Sequence, residues 1–376
     1  MDISVRLDPE ILIGSDTVSR AGTICGELGG RVLVITDQAL HKNQNIERLT
    51  AILEDSGVEA IVFDEILPQT TAEAAEAAAA LAQGARCSAV IGLGGLITQS
   101  IARITAITVK SRVSIFDLLD GISPREGFIP YIGIPTTGRD PFFFSRYFIA
   151  LDPRDRSVGL IKTPLGLCAA AIIDGGLFDS VQGKFAAAAA FDGFCIALEA
   201  YCSSRASFFS DALLEQALVL YTRMMDNRLP DVAASAANAG FLTALGCSVS
   251  SPGIGTALAF ALNGRFPVEK SWYSTVLLPH VLEKLAAARP EKIAKVASLM
   301  EEPAAEMPVS ESANAVAGAV RRRMETLKLP VRLRDCGLSL DRLAAAAETA
   351  RNLEFVAHCP WTVSVEDACD LLKRAF

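Results

Sequence analysis

Histidine is scarce in this chain of 376 residues: there are three, His41, His280 and His358, far apart in sequence. Imidazole is a principal ligand for transition metals, so a site built from several histidines is not expected. Cysteine does not make up the lack. The nine cysteines are an odd number and none stands in a C-x-x-C pair. They are expected as reduced, mostly buried thiols, not as a disulfide framework. Basic residues are outnumbered, 35 Lys and Arg against 43 Asp and Glu, for a net charge of -8. That balance excludes the electrostatic footprint of a nucleic-acid binder, and no basic cluster marks an anionic membrane surface. No apolar run is read as reaching the roughly 18 residues of a membrane span. The mean hydropathy of +0.34 is assigned instead to alanine-rich helices. The opening MDISVRLDPE lacks the basic and apolar regions of a signal peptide, so a cytoplasmic protein is expected. No Ser/His/Asp set stands at a recognisable spacing.

What is present is an orderly alternation. Apolar strand-like runs at 31–36, 60–63, 88–92 and 131–134 are separated by helical patterns at 46–56 and 71–82. Strands interleaved with helices predict right-handed βαβ units and a mainly parallel sheet. From Phe185 the pattern turns wholly helical, with segments at 185–202, 208–225, 232–246, 276–288, 291–300, 310–327, 340–348 and 365–376. The expected architecture is an α/β dinucleotide-binding-like domain over 1–180 and an all-helical domain over 181–376.

Ligands of such sheets bind at the carboxyl ends of the strands. Asp37, Gly94, Gly95, Thr136 and Thr137 all fall there and are candidates to share one crevice. Gly94-Gly95 follows a strand and opens a helix that carries Thr98. Small residues at such a turn let backbone N–H groups approach a pyrophosphate, although a plain strand–helix turn uses the same glycines. Asp37 has a second reading as a turn or capping residue. Phe142, Phe143 and Phe144 follow Pro135-Thr136-Thr137-Gly138, and three phenylalanines in a loop either pack or fill a cofactor cleft.

Four stretches carry a resemblance. Gly253 to His280 reads GIGTALAFALNGRFPVEKSWYSTVLLPH. Asp192 to Tyr201 reads DGFCIALEAY. Gly92 to Arg103 reads GLGGLITQSIAR, and the end of the chain holds Cys359-Pro360-Trp361-Thr362 with Glu366-Asp367. Together they are similar to the iron-containing (group III) alcohol dehydrogenases. The resemblance runs from about Pro9 to the end. It implies the fold of that family and of dehydroquinate synthase, a nicotinamide cofactor, NAD, and dimers or larger assemblies. It also implies which positions depart from the family. The metal-ligand positions fall on Asp192, Ile196, Thr256 and Lys270, and the proton-path histidine falls on Phe260. Leu96 stands for the third glycine of the nucleotide motif, Ile97 for its serine, Ser100 for its aspartate and Arg103 for its lysine.

One carboxylate and one ammonium are poor company for a divalent cation, so no metal is expected. Lys270 and Asp192 are the candidate catalytic pair. Asp37, Gly94, Gly95, Thr98, Thr136 and Thr137 are the candidate cofactor-binding residues. For the vacated site two arrangements are expected. In one, the Lys270 ammonium pairs with Asp192 at about 3–4 Å. In the other, Lys270 turns to solvent while hydroxyls such as that of Thr256 hold Asp192. Two functions follow. The first is a metal-independent, NAD-linked oxidoreductase acting on a small alcohol or carbonyl. The second is a catalytically inactive homologue, a structural or regulatory partner, as a homodimer or with an active paralogue.

Overall fold

A computed structural model describes residues 5–66, 71–111, 113–122, 124, 127–180, 183–339 and 343–376. Its contacts divide the chain into two compact units, Arg6–Val181 and Gln182–Phe376.

The first unit is built on a six-stranded sheet. In chain order its elements are β1 (Glu10–Gly14), α1 (Ala21–Leu28), β2 (Arg31–Thr36), α2 (Asn45–Asp55), β3 (Glu59–Phe63), α3 (Thr71–Gly84), β4 (Ala89–Gly94), α4 (Leu96–Thr108), α5 (Ile115–Leu119), β5 (Tyr131–Pro135), β6 (Tyr147–Asp152), β7 (Ser157–Lys162) and β8 (Cys168–Asp174). The sheet order is β1-β8-β5-β4-β2-β3, and every pairing within it is parallel. β6 and β7 form a separate antiparallel hairpin. Alternate residues of each strand point to opposite faces, which splits the core in two. Val32, Val34, Ile91, Leu93, Ile132 and Ile134 pack against α1 and α2 on one face. Leu33, Ile35, Val90 and Tyr131 pack with α3 and α4 on the other. A sheet covered on both faces needs the continuous apolar strands seen in RVLVIT and AVIGLG.

Four strands escaped the sequence reading: β1, β6, β7 and β8. The sequence of β8, CAAAIID, is rich in a helix former, and pairing on both sides by β1 and β5 overrides that preference.

The second unit is helical throughout its described residues: α6 (Gly183–Cys202), α7 (Phe208–Met225), α8 (Val232–Val249), α9 (Ile254–Arg265), α10 (Lys270–Ala288), α11 (Pro290–Leu299), α12 (Val309–Thr326), α13 (Ala344–Asn352) and α14 (Val365–Ala375). α10 begins six residues before the expected 276, at Lys270. The expected helix 340–348 appears as α13, and residues 340–342 lie outside the described residues. α6 lies at the centre of the core, with Phe191, Phe194, Ile196, Leu198 and Tyr201 all buried in one cluster. α6 and α8 are long and apolar enough to cross a membrane by length and composition, contrary to the expectation that no run reaches that length. The apolar window of α6 is 78% buried, as a core helix requires, while that of α8 is 39% buried.

Candidate functional site

The helical unit places one charged pair where the resemblance places a metal. Asp192 lies mid-way along α6 and Lys270 is the first residue of α10. Lys270 Nζ donates to Asp192 Oδ1 at 2.6 Å. Asp192 is 0% exposed and Lys270 7%. A cation at the first turn of a helix faces the positive end of the helix dipole, an unfavourable position on its own. Asp192 offsets both that dipole and the cost of burying the ammonium. The Glu269 side chain caps the same helix end, accepting from Ser271 N at 2.8 Å.

Two more motif positions complete the arrangement. The ring of Phe260, on α9, lies 4.7 Å from Lys270 Nζ, a cation–π contact. Thr256 is drawn elsewhere: its hydroxyl donates to Glu199 Oε2 at 2.6 Å. The pairing arrangement is therefore the one found, as a close charge-assisted hydrogen bond. Ile196, one turn from Asp192 on α6, is fully buried in the apolar core. Asp192 Oδ2 has no hydrogen-bond partner.

Glu199 explains how the site is held, and its role was not legible beforehand. Gly253 N, Gly255 N and Thr256 N donate to its carboxylate at 3.2, 2.6 and 3.0 Å. A side chain on α6 thus caps α9 and fixes the two helices in register. The close approach needs glycine: a Cβ at Gly253 would stand 2.8 Å from Glu199 Oε1. Burial pushes the Glu199 carboxyl above its ordinary range, against the opposing pull of those donors. Burial likewise pushes the Cys195 thiol well up, so it is no thiolate nucleophile.

A divalent metal does not fit these residues. Of Asp192, Ile196, Thr256 and Lys270, one is a carboxylate, and an ammonium, which repels a cation, is already bonded to one of its two oxygens. Among the described residues no group of three His, Cys, Asp or Glu side chains is placed to hold an ion.

The α/β unit brings the candidate cofactor residues to one edge. Thr36 pairs with Leu93 and Gly94 with Pro135. Asp37, Gly94–Gly95 and Thr136–Thr137 therefore lie side by side at the carboxyl ends of β2, β4 and β5. Thr136 N donates to Gly94 O at 3.1 Å. Gly95 is the N-cap of α4 and, as glycine, supplies no side-chain cap. Its first backbone N–H groups are left for a ligand, as a pyrophosphate requires. A Cβ at Gly95 would meet Thr137 Oγ1 at 3.3 Å. These residues fit a dinucleotide's phosphates.

Three details bear on the roles expected. Thr98 folds back over Gly94, where a Cβ would meet its hydroxyl at 2.7 Å, so it packs the turn. Asp37 caps the short 3-10 helix Gln38–Asn43, accepting from Ala39 N at 2.7 Å, which is its turn-capping reading. Phe143 packs on Gly133 and Arg103, so it goes into the core and does not cover the Thr136–Thr137 turn. Gln99 was missed altogether. Its amide donates to Gly92 O, Gly94 O and Ile134 O, stitching β4 to β5 below the glycine turn, and it accepts from the Tyr131 hydroxyl.

Two family models match the chain. Residues 8–175 match the model described as iron-containing alcohol dehydrogenase. Residues 186–376 match that of the Fe-containing alcohol dehydrogenase family, C-terminal. The chain belongs to the iron-containing alcohol dehydrogenase family. Lactaldehyde reductase of Escherichia coli K12 is 22% identical over 352 residues, covering 92% of each chain. The 1,3-propanediol dehydrogenase of Klebsiella pneumoniae is 24% identical over 371 residues, covering 96% of each. Among solved structures, a 1,3-propanediol oxidoreductase superimposes with a TM-score of 0.90 at 22% identity, covering all of both chains. The sulfoacetaldehyde reductase of Bifidobacterium kashiwanohense, solved with NAD+, gives 0.85 at 16% identity, covering 100% of this chain and 99% of that one.

Proposed function

We propose that this family member is an NAD-linked oxidoreductase of a small alcohol or carbonyl that works without a metal. The observation that carries the proposal is the Lys270–Asp192 pair at 2.6 Å. An ammonium there takes up the electrophilic work that the resemblance assigns to an ion. When bound, the dinucleotide supplies or accepts the hydride. Asp192 Oδ1 holds the ammonium in place. A further Nζ–H donates to the substrate oxygen and passes it a proton as the alcohol forms. The uncapped N-terminus of α4 and the glycines before it bind the phosphates. Relatives named for lactaldehyde and 1,3-propanediol support a small polar substrate.

The test is turnover in EDTA-treated protein, with NADH and a panel of short aldehydes. Activity is expected without added Fe2+ or Zn2+. Lys270→Met should lower kcat by about 100-fold, the loss typical of one electrophilic donor. Turnover that appears only on adding a divalent metal, or that survives Lys270→Met, overturns the reading. The second reading, an inactive homologue, is favoured by the burial of the pair, since Asp192 already satisfies the ammonium. Absence of both NADH binding and turnover would select it.

A further inference from the structure

Gln99 stands in the first turn of α4, 1% exposed, below the glycine turn. Its Nε2 donates to Gly92 O at 2.9 Å, Gly94 O at 3.0 Å and Ile134 O at 3.2 Å. The first two carbonyls belong to β4 and the third to β5, so one amide spans the gap between the strands. The orientation of that amide is set from its other end. The Tyr131 hydroxyl donates to Gln99 Oε1, which fixes the nitrogen on the side of the three carbonyls. Burial pushes the Tyr131 phenol well up, so it keeps its proton and stays a donor. The Arg103 guanidinium lies 5.5 Å from the centroid of the Tyr131 ring and donates to Phe143 O at 3.0 Å, closing the network on the helix side. The fit needs glycine at 92, where a Cβ would stand 2.8 Å from Gln99 Oε1.

Gly94 is where this network meets the phosphate turn. Its carbonyl accepts from Thr136 N at 3.1 Å as well as from Gln99. The C=O and the following N–H of a trans peptide point opposite ways. A Gly94 carbonyl held over the gap between β4 and β5 therefore turns the Gly95 N–H away from β5. Ile134 O, held by the same amide, precedes the Pro135-Thr136-Thr137 turn. One side chain thus ties down both strand ends that flank the place of the phosphates. An apolar residue at 99 would fill the same volume and donate nothing. We propose that Gln99 is a positioning residue for the dinucleotide: it sets the Gly95 N–H and the Thr136–Thr137 turn for the pyrophosphate while its own side chain stays buried beneath them. The proposal rests on the NAD-linked reading above.

Calorimetric titration of the full chain with NAD+ tests it. Gln99→Glu keeps the shape and makes the donor depend on pH. Protonated, the acid accepts from Tyr131 and donates to one carbonyl; ionised, it only accepts and repels all three. Its affinity should be within about threefold of wild type at about pH 6 and at least about tenfold weaker at about pH 8.5, on either side of the range to which burial raises a carboxyl. A residue that only filled space would give a ratio that does not move with pH. Gln99→Met together with Tyr131→Phe removes the amide and the hydroxyl at once and keeps the volume, so neither is left facing a lost partner. This double variant should bind NAD+ at least about tenfold more weakly, with the midpoint of urea unfolding nearly unchanged. If one variant fails to fold, the other decides. Wild type that does not bind NAD+ overturns the NAD-linked reading and this proposal together. Binding by wild type with a pH-independent ratio for Gln99→Glu, or with unchanged affinity in the double variant, overturns this proposal alone.

Discussion

Lys270 Nζ and Asp192 Oδ1 stand 2.6 Å apart, both buried, and join the first turn of α10 to the middle of α6. Among the described residues Asp192 has no other side-chain hydrogen bond, and Thr256 is committed to Glu199, so removing the lysine leaves the carboxylate unpaired. Lys270→Ala should lower unfolding free energy by about 3 kcal/mol, the cost typical of an orphaned buried charge. Adding Asp192→Asn should restore part of it. Urea denaturation of the two single variants and the double gives the coupling directly. A double variant no more stable than Lys270→Ala would mean that the carboxylate is not the source of the cost.

Gly193, beside Asp192, offers a second test of how α6 is packed. Gly to Ala inside a helix ordinarily stabilises by about 1 kcal/mol. Here a Cβ would stand 2.3 Å from the Tyr221 ring on α7, so overpacking should win. We expect Gly193→Ala to destabilise by about 2 kcal/mol, read from the midpoint of chemical denaturation. A gain in stability would show that α7 yields freely.

His41 gives the α/β unit a pH dependence. Its ring contacts Glu47 at 2.8 Å and Asp64 at 3.1 Å. The hydrogen bond that the ring donates to Glu47, then the one it donates to Asp64, raises its pKa above the ordinary 6.5. A raised folded value means that the histidine's contribution is fully present below about 6.5 and fades as pH rises through the folded pKa. The stability difference between wild type and His41→Ala should therefore be larger at pH 5.5 than at pH 9, as roughly chosen points on either side of that window. A difference that grows with pH would contradict the assignment.

Asp37 separates capping from cofactor choice. Asn caps as well as Asp, so Asp37→Asn should keep the bond from Ala39 N and leave stability nearly unchanged. It removes the negative charge that would repel a 2′-phosphate. The preference for NADH over NADPH should then fall by about tenfold, on the order of 1–2 kcal/mol for one like-charge contact in partly solvated surroundings. Binding titrations with both cofactors decide it, and an unchanged ratio would leave Asp37 as a cap alone.

The sequence by itself determined the fold and the positions of the candidate sites. Continuous apolar strands between helical segments require a parallel sheet covered on both faces, and the motif spacing places Asp192 and Lys270 at the positions the resemblance gives to metal ligands. Alanine-rich β8 was not legible, because its state is set by the neighbours on either side and not by its own preference. Only the tertiary structure decided between the two arrangements open to Lys270. Sequence gives the length of a side chain but not which carboxylate its end will reach, and that depended on Glu199 drawing Thr256 and the start of α9 onto α6. The roles of Gln99 and Arg103 belong to the same class. Both stand on α4, and what each satisfies is fixed only when strands distant in sequence close around that helix.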